Sequence, residues 1–105
     1  MIKSDKNMAI IATYAPLSKM AKIYKRTNFT LQLIDEFTPL PFSCNIMELS
    51  SDANFLVFGV TFNDEVVSYQ FNHNLTKYDL VYNLTLPYAA TSMSMTPDGK
   101  YLVYG

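Results

Sequence analysis

The sequence predicts an all-β fold of repeated four-stranded antiparallel sheets, and two observations carry this prediction. The chain of 105 residues repeats itself with a period of 46 residues. Within each repeat, apolar and polar residues alternate with a period of two, whereas the period of 3.6 that is typical of amphipathic helices is weak. Half of the residues are hydrophobic and 16% are charged, which excludes a disordered chain.

The repeat is clearest in one polar turn and the apolar strand that follows it. The segment SDANFLVFG at 51–59 returns as PDGKYLVYG at 97–105, and a fainter copy, SDKNMAIIA at 4–12, stands 47 residues before the second. Asn28 and Asn74 are also 46 residues apart. The sequence therefore predicts a first repeat at 1–46, a second at 47–92 and the start of a third at 93–105.

Each repeat is predicted to form short strands that are separated by polar turns. In the second repeat the strands are Asn45–Ser51, Phe55–Phe62, Val66–Phe71 and Tyr78–Leu86. The run 55–62 is almost wholly apolar, which indicates a strand covered on both faces, whereas 78–86 alternates and is expected at a sheet edge. In the first repeat the strands are Met8–Tyr14, Met20–Lys25 and Phe29–Glu36.

This recurring unit resembles a blade of the WD40-like and YVTN-like β-propeller families. The strongest element of the resemblance is TPDGKYLVYG at 96–105, a turn and strand common in such blades. At the end of the third strand, Tyr24 and Tyr69 stand where a WD40 blade often carries Trp-Asp, and the Gly-His dipeptide is missing. The resemblance implies a divergent propeller of about two blades plus a duplicated terminal strand.

A closed propeller needs about 4 to 8 blades, so two repeats require completion. We expect either further blades in a longer chain or other protein chains to supply the rest. The strand that ends at Gly105 would otherwise leave backbone groups without partners on its next edge.

Composition and motifs argue against several classes of function. The net charge of −1 gives no electrostatic case for nucleic acid, and no run of 18 apolar residues predicts a membrane span. The sole cysteine, Cys44, allows no internal disulfide and is expected to be a small buried hydrophobe. The sole histidine, His73, has no Cys or His at metal-ligand spacing, and the three glycines form no phosphate loop. We therefore expect no cofactor, no metal and no catalytic residue.

Turn residues are the remaining candidates for function. We expect turns to contact partner proteins because propellers typically present rigid loop rims, and the candidate contact residues are Asp64, Glu65, Asn72, His73 and Lys77. Asp52 is expected to cap its turn by accepting backbone hydrogen bonds. Asn28 and Asn74 head Asn-x-Thr patterns, as does Asn83, and the first two are candidate glycosylation sites under an alternative interpretation.

The sequence therefore predicts a non-enzymatic scaffold for protein–protein interaction, or a structural subunit, with an intracellular location. One alternative is an extracellular or lumenal sensor or adhesion domain, with sugar binding as one variant. Another is a fragment of a propeller enzyme whose metal ligands or nucleophile lie outside this stretch. The sequence does not indicate the partner, the biological process or the number of blades.

Overall fold

The computed structural model describes residues 1–60, 65–85, 93–96 and 101–104. These residues form ten strands and contain no helix. The strands are β1 (Ile2–Ser4), β2 (Ile10–Ala15), β3 (Met20–Thr27), β4 (Thr30–Phe37), β5 (Ile46–Leu49), β6 (Phe55–Val60), β7 (Glu65–Asn72), β8 (Lys77–Thr85), β9 (Met93–Met95) and β10 (Leu102–Tyr104).

The strands form two four-stranded antiparallel sheets and one two-stranded sheet. Sheet 1 has the order β1-β2-β3-β4 and sheet 2 the order β5-β6-β7-β8, while β9 pairs with β10. The inner strands β1 and β5 are in contact, as are β5 and β9. The prediction of an all-β fold with four-stranded antiparallel sheets is confirmed. Strand β1 was not predicted, because three residues are too short to show alternation. The repeat boundaries after 46 and 92 stay a prediction.

The turns that join β1 to β2 and β5 to β6 are built alike. Asp5 Oδ1 accepts hydrogen bonds from the amides of Ala9 (2.7 Å) and Ile10 (2.9 Å), and Ser50 Oγ accepts one from the amide of Phe55 (2.9 Å). Asp5 is therefore the counterpart of Ser50, 45 residues later. The sequence alignment that placed these copies 47 residues apart was wrong, because it matched Ser-Asp dipeptides and not the residues that cap the turn.

Asp52 caps the same turn of sheet 2 as predicted. Its Oδ1 accepts hydrogen bonds from the amide of Asn54 (3.0 Å) and from Ser50 Oγ (2.7 Å). This turn also needs a residue with positive φ, which is Ala53 at 65°. Met8, the counterpart in sheet 1, has a φ of 56°.

The outer hairpins of the two sheets differ in length. Thr27 pairs with Thr30 across a two-residue turn, whereas Asn72 pairs with Lys77 across the four-residue turn 73–76. A β-bulge follows in both hairpins, where Ile34 and Val81 are the extra residues. Asn28 and Asn74 therefore occupy different positions in their turns, although they are 46 residues apart.

The main core lies between the two sheets. Tyr14 and Phe37 of sheet 1 pack against Phe58 of sheet 2, with ring centroids 5.7 and 6.0 Å apart, and Phe37 also packs on Tyr69 at 4.5 Å. On the opposite face of sheet 2, Val57 packs in a second cluster with Met93 of β9. Strand β6 is therefore covered on both faces, as its apolar sequence predicted.

Strand β8 lies at the edge of sheet 2, as predicted. However, Leu80, Tyr82 and Leu84 do not form one buried face: these side chains and that of Val81 are exposed, and the bulge at Val81 interrupts the alternation. Only Tyr78 of this strand is buried. The predicted end of the strand, at Leu86 and Pro87, lies outside the described residues.

Candidate functional site

The end of the β7–β8 hairpin is held in shape by one side chain, that of Asn72. Its Oδ1 accepts hydrogen bonds from the amides of Asn74 (3.0 Å) and Leu75 (3.2 Å), which closes the turn. Its Nδ2 donates a hydrogen bond of 2.8 Å to Oδ2 of Asp79 on the neighbouring strand. Asn72 therefore fixes the turn and the first residues of β8 together.

An open concavity lies beside this turn. Its lining includes Phe71, Asn72, His73, Asp79 and Leu80. The rings of Phe71 and His73 meet edge to face, with centroids 4.8 Å apart. The surface thus combines an aromatic ring, an imidazole, an amide and a carboxylate within one hairpin, and both apolar and hydrogen-bonding partners can contact it.

The charges at the hairpin end, beside the concavity, are nearly balanced. Lys77 Nζ lies 3.7 Å from Oδ1 of Asp79, and both side chains are about half exposed. An ion pair of this kind contributes about 0 to 1 kcal/mol. The carboxylate of Asp79 thus interacts with both Lys77 and Asn72. The electrostatic potential at the hairpin end is therefore not strongly positive or negative.

The hairpin is anchored to the rest of the fold through Tyr78. Its backbone amide donates a hydrogen bond of 2.9 Å to Oδ2 of Asp35 in sheet 1, and its phenol donates to the carbonyl oxygen of Ala53. The side chain of Tyr78 is only 4% exposed, and burial raises the pKa of its phenol. The exposed turn therefore rests on a buried, hydrogen-bonded base.

The structure brings together three of the five predicted contact residues. Asn72, His73 and Lys77 lie at this hairpin end. Glu65 is the first residue of β7, so it lies at the opposite end of the strand, roughly 23 Å away at 3.3 Å per residue. There it accepts a hydrogen bond of 3.1 Å from Asn83 Nδ2. Asp64 lies outside the described residues.

Sequence reasoning missed Phe71 and Asp79 as members of this site. Asp79 follows Lys77 by two residues, the spacing that places two side chains on one face of a strand. This spacing was a usable signal. The contact between Phe71 and His73 depends on the turn conformation, which the sequence pattern does not reveal.

The asparagines of the three Asn-x-Thr patterns differ in their surroundings. Asn28 and Asn74 are exposed in hairpin turns, and Asn28 adopts a φ of 55°. Asn83 lies within β8 and its amide is bound to Glu65.

Cys44 is buried, as predicted. Its amide donates a hydrogen bond of 2.8 Å to the hydroxyl of Tyr14, and burial raises the pKa of its thiol. In the part of the chain that the structure describes, no three His, Cys, Asp or Glu side chains are grouped so that they could hold a metal ion. The same residues include no helix that could cross a membrane.

Comparisons with known proteins identify the fold. No protein-family model and no curated protein sequence matches the chain. Among solved structures, the β-propeller domain of Cps50 (Swd1) from Myceliophteria thermophila superimposes with a TM-score of 0.82 at 15% identity, covering 99% of this chain and 35% of that one. The periplasmic gluconolactonase PpgL of Pseudomonas aeruginosa gives a TM-score of 0.73 at 13% identity, covering 99% and 31%.

A third similar structure is a Bacteroides uniformis protein provisionally assigned as a 6-phosphogluconolactonase. Its TM-score is 0.79 at 17% identity, and the match covers 98% of this chain and 31% of that one. The chain therefore spans about a third of the length of these structures. At such identities the likeness concerns the fold: sheets 1 and 2 are consecutive four-stranded blades of a partial β-propeller.

Proposed function

We propose that this chain is part of a non-catalytic propeller scaffold for protein–protein interaction, which further blades or other protein chains complete. Its binding surface is the β7–β8 hairpin end. The observation that carries the proposal is the double role of Asn72, which holds the turn and Asp79 in one arrangement. A surface that is already ordered loses little conformational entropy on binding.

The chemistry of the hairpin end supports a protein partner. The side chain of Leu75 is 63% exposed in the turn and lies near the exposed His73. Lys77 and Asp79 lie at the base of the turn. Apolar area next to hydrogen-bonding groups of both signs is typical of protein interfaces. The concavity is open, which suits a contacting loop better than an enclosed small substrate.

The test compares affinity capture by three forms of the natively expressed protein. We expect the wild type to retain a stoichiometric partner that the double variant His73→Ala, Leu75→Ala loses. Phe29→Ala is the matched control, because Phe29 is an exposed apolar residue at the tip of the other outer hairpin. Calorimetry with the purified partner should then reproduce the loss. Equal binding by all three forms would refute the assignment of this surface.

A second candidate function is a propeller enzyme. The observation that favours it is the similarity to the gluconolactonase PpgL, which shares the fold at 13% identity. Incubation of the intact protein with sugar lactones, with and without divalent metal ions, distinguishes the two functions. Turnover above the uncatalysed rate would contradict the non-catalytic proposal.

A lumenal or extracellular adhesion domain is the other alternative. The exposed turn positions of Asn28 and Asn74 favour it, because a glycan can be accommodated there. Glycan mass on either asparagine of natively purified protein would support this alternative and contradict the expected intracellular location. Unmodified asparagines would remove its support.

A further inference from the structure

The two blades can be compared residue by residue, because the register of their strands is equivalent. In sheet 2, the row Met47, Phe58, Val67 crosses three strands on the face that packs against sheet 1. In sheet 1, the matching row on the opposite, outward face is Ile2, Thr13, Lys22, each 45 residues earlier. We call this outward side the far face of sheet 1. It also carries Glu36, which pairs with Lys22 in register.

The matching rows have opposite character. Met47, Phe58 and Val67 are all at most 2% exposed and form the centre of the core between the blades. Their counterparts on the far face place a hydroxyl at Thr13 and an ammonium at Lys22. The far face therefore cannot repeat the aromatic packing that joins sheet 1 to sheet 2.

The polar row is bordered by apolar side chains. Ile2 is 73% exposed at one end of it, and the next row on the same face contains Ile11, Tyr24 and Leu33. None of these side chains belongs to the core clusters of the described residues. Exposed apolar side chains that stand together on one face mark a surface that another protein surface covers.

The ammonium group of Lys22 limits which kind of protein surface can pack on the far face. Its side chain is half-buried already, yet no described carboxylate lies within 4.0 Å of its Nζ, although Glu36 stands opposite in register. Covering an ammonium without a partner costs several kcal/mol, and Glu36 forms no ion pair with Lys22 in this structure, so we expect the covering surface to supply an anionic group. A carboxylate is the protein group that does this.

We propose that the far face of sheet 1 receives a further blade of the same propeller, one that offers an Asp or Glu side chain to Lys22. This inference rests on the proposed function, in which further blades complete the propeller. It adds that the closing interface is polar at its centre, unlike the interface between sheets 1 and 2. The interface would thereby select one blade and reject the aromatic face that sheet 2 presents.

The first test uses the intact, natively purified protein. We expect Lys22 to react with an amine-acetylating reagent several-fold more slowly than Lys25, which lies exposed on the same strand. We also expect a zero-length carbodiimide cross-link between Lys22 and a carboxylate outside sheet 1. Equal acetylation of both lysines, or a cross-link to Glu36 alone, would overturn the proposal.

A second test uses charge reversal. In a Glu36→Gln background, which removes the carboxylate opposite Lys22 in register, Lys22→Glu should lower the midpoint of thermal unfolding of the intact protein, because it would face the carboxylate of the covering blade, whereas Lys25→Glu should leave it unchanged. Equal midpoints for both variants would contradict the proposal. Neither variant alters the β7–β8 hairpin, so capture of the partner through His73 and Leu75 is tested separately and can succeed or fail independently of Lys22.

Discussion

The backbone amide of Tyr78 donates a hydrogen bond of 2.9 Å to Oδ2 of Asp35, a residue 43 positions earlier in the chain. Asp35 belongs to β4, the outer strand of sheet 1, and Tyr78 belongs to β8, the outer strand of sheet 2. A carboxylate of one blade thus satisfies a backbone donor of the next.

Replacing Asp35 should weaken the link between the blades. Asp35→Ala leaves the Tyr78 amide without its acceptor, and we expect a loss of about 1 to 3 kcal/mol in the free energy of unfolding. Asp35→Asn keeps an oxygen acceptor and should lose less. Urea denaturation measures both, with Glu36→Ala as the exposed control on the same strand. If Glu36→Ala lowered the free energy of unfolding as much as Asp35→Ala, this role for Asp35 would be contradicted.

The aromatic cluster between the blades should be the largest single contribution to packing. Phe58 is fully buried and contacts Tyr14, Phe37 and Tyr69. We expect Phe58→Ala to lower the free energy of unfolding by about 3 to 5 kcal/mol. Phe29→Ala is the control, since that side chain is fully exposed and should change stability by less than about 0.5 kcal/mol.

The role of Asn72 in closing the turn can be tested by comparing alanine substitutions at Asn72 and at the nearby Asn74. Asn72→Ala removes two hydrogen bonds to the turn and one to Asp79, so we expect faster amide hydrogen exchange at Asn74 and Leu75. Asn74→Ala alters the adjacent exposed side chain and should leave exchange at Leu75 unchanged. Identical exchange in both variants would show that Asn72 does not hold the turn.

Ala53 offers a substitution that should stabilise the fold. Its φ of 65° is unfavourable for a residue with a Cβ atom, and the sequence has glycine 46 residues later, at Gly99. We expect Ala53→Gly to raise the free energy of unfolding by up to about 1 kcal/mol, whereas the β-branched Ala53→Val should lower it. Thermal unfolding distinguishes the two, and a lower midpoint for the glycine variant would contradict the argument.

Stability should fall at alkaline pH. Burial raises the pKa of the Cys44 thiol and of the Tyr78 phenol in the folded chain. The unfolded chain loses these protons first, near the ordinary pKa of roughly 8.5 for Cys and 10 for Tyr, so unfolding becomes more favourable as pH rises through that window. Urea midpoints between roughly pH 8 and 11 measure the effect. Cys44→Ala should remove the part of the stability loss that begins near the ordinary pKa of cysteine. A wild-type stability that stays constant over this pH range would contradict the expected effect of the buried thiol and phenol.

The sequence revealed the features that depend on local pattern. The apolar run through Phe58 predicted a strand covered on both faces, and Asp52 was correctly expected to cap its turn. It did not reveal β1, because three residues are too short to show alternation, or the hydrogen bond from Tyr78 to Asp35, because that bond depends on how two distant strands meet. Of the residues at the candidate site, the sequence named Asn72, His73 and Lys77 from their turn but not Phe71 and Asp79, which lie inside strands; that these residues bind a partner stays a prediction.

The unequal outer turns change the spacing between corresponding residues of the two blades. Residues before the turn, such as Tyr24 and Tyr69, are 45 positions apart, whereas residues after it, such as Leu33 and Leu80, are 47 apart. The two additional residues are confined to the tip, since the paired strands on either side keep the same partners. Segments of other lengths could therefore be grafted at this tip, as antibody loops vary on a constant framework, without disturbing the contact between the blades.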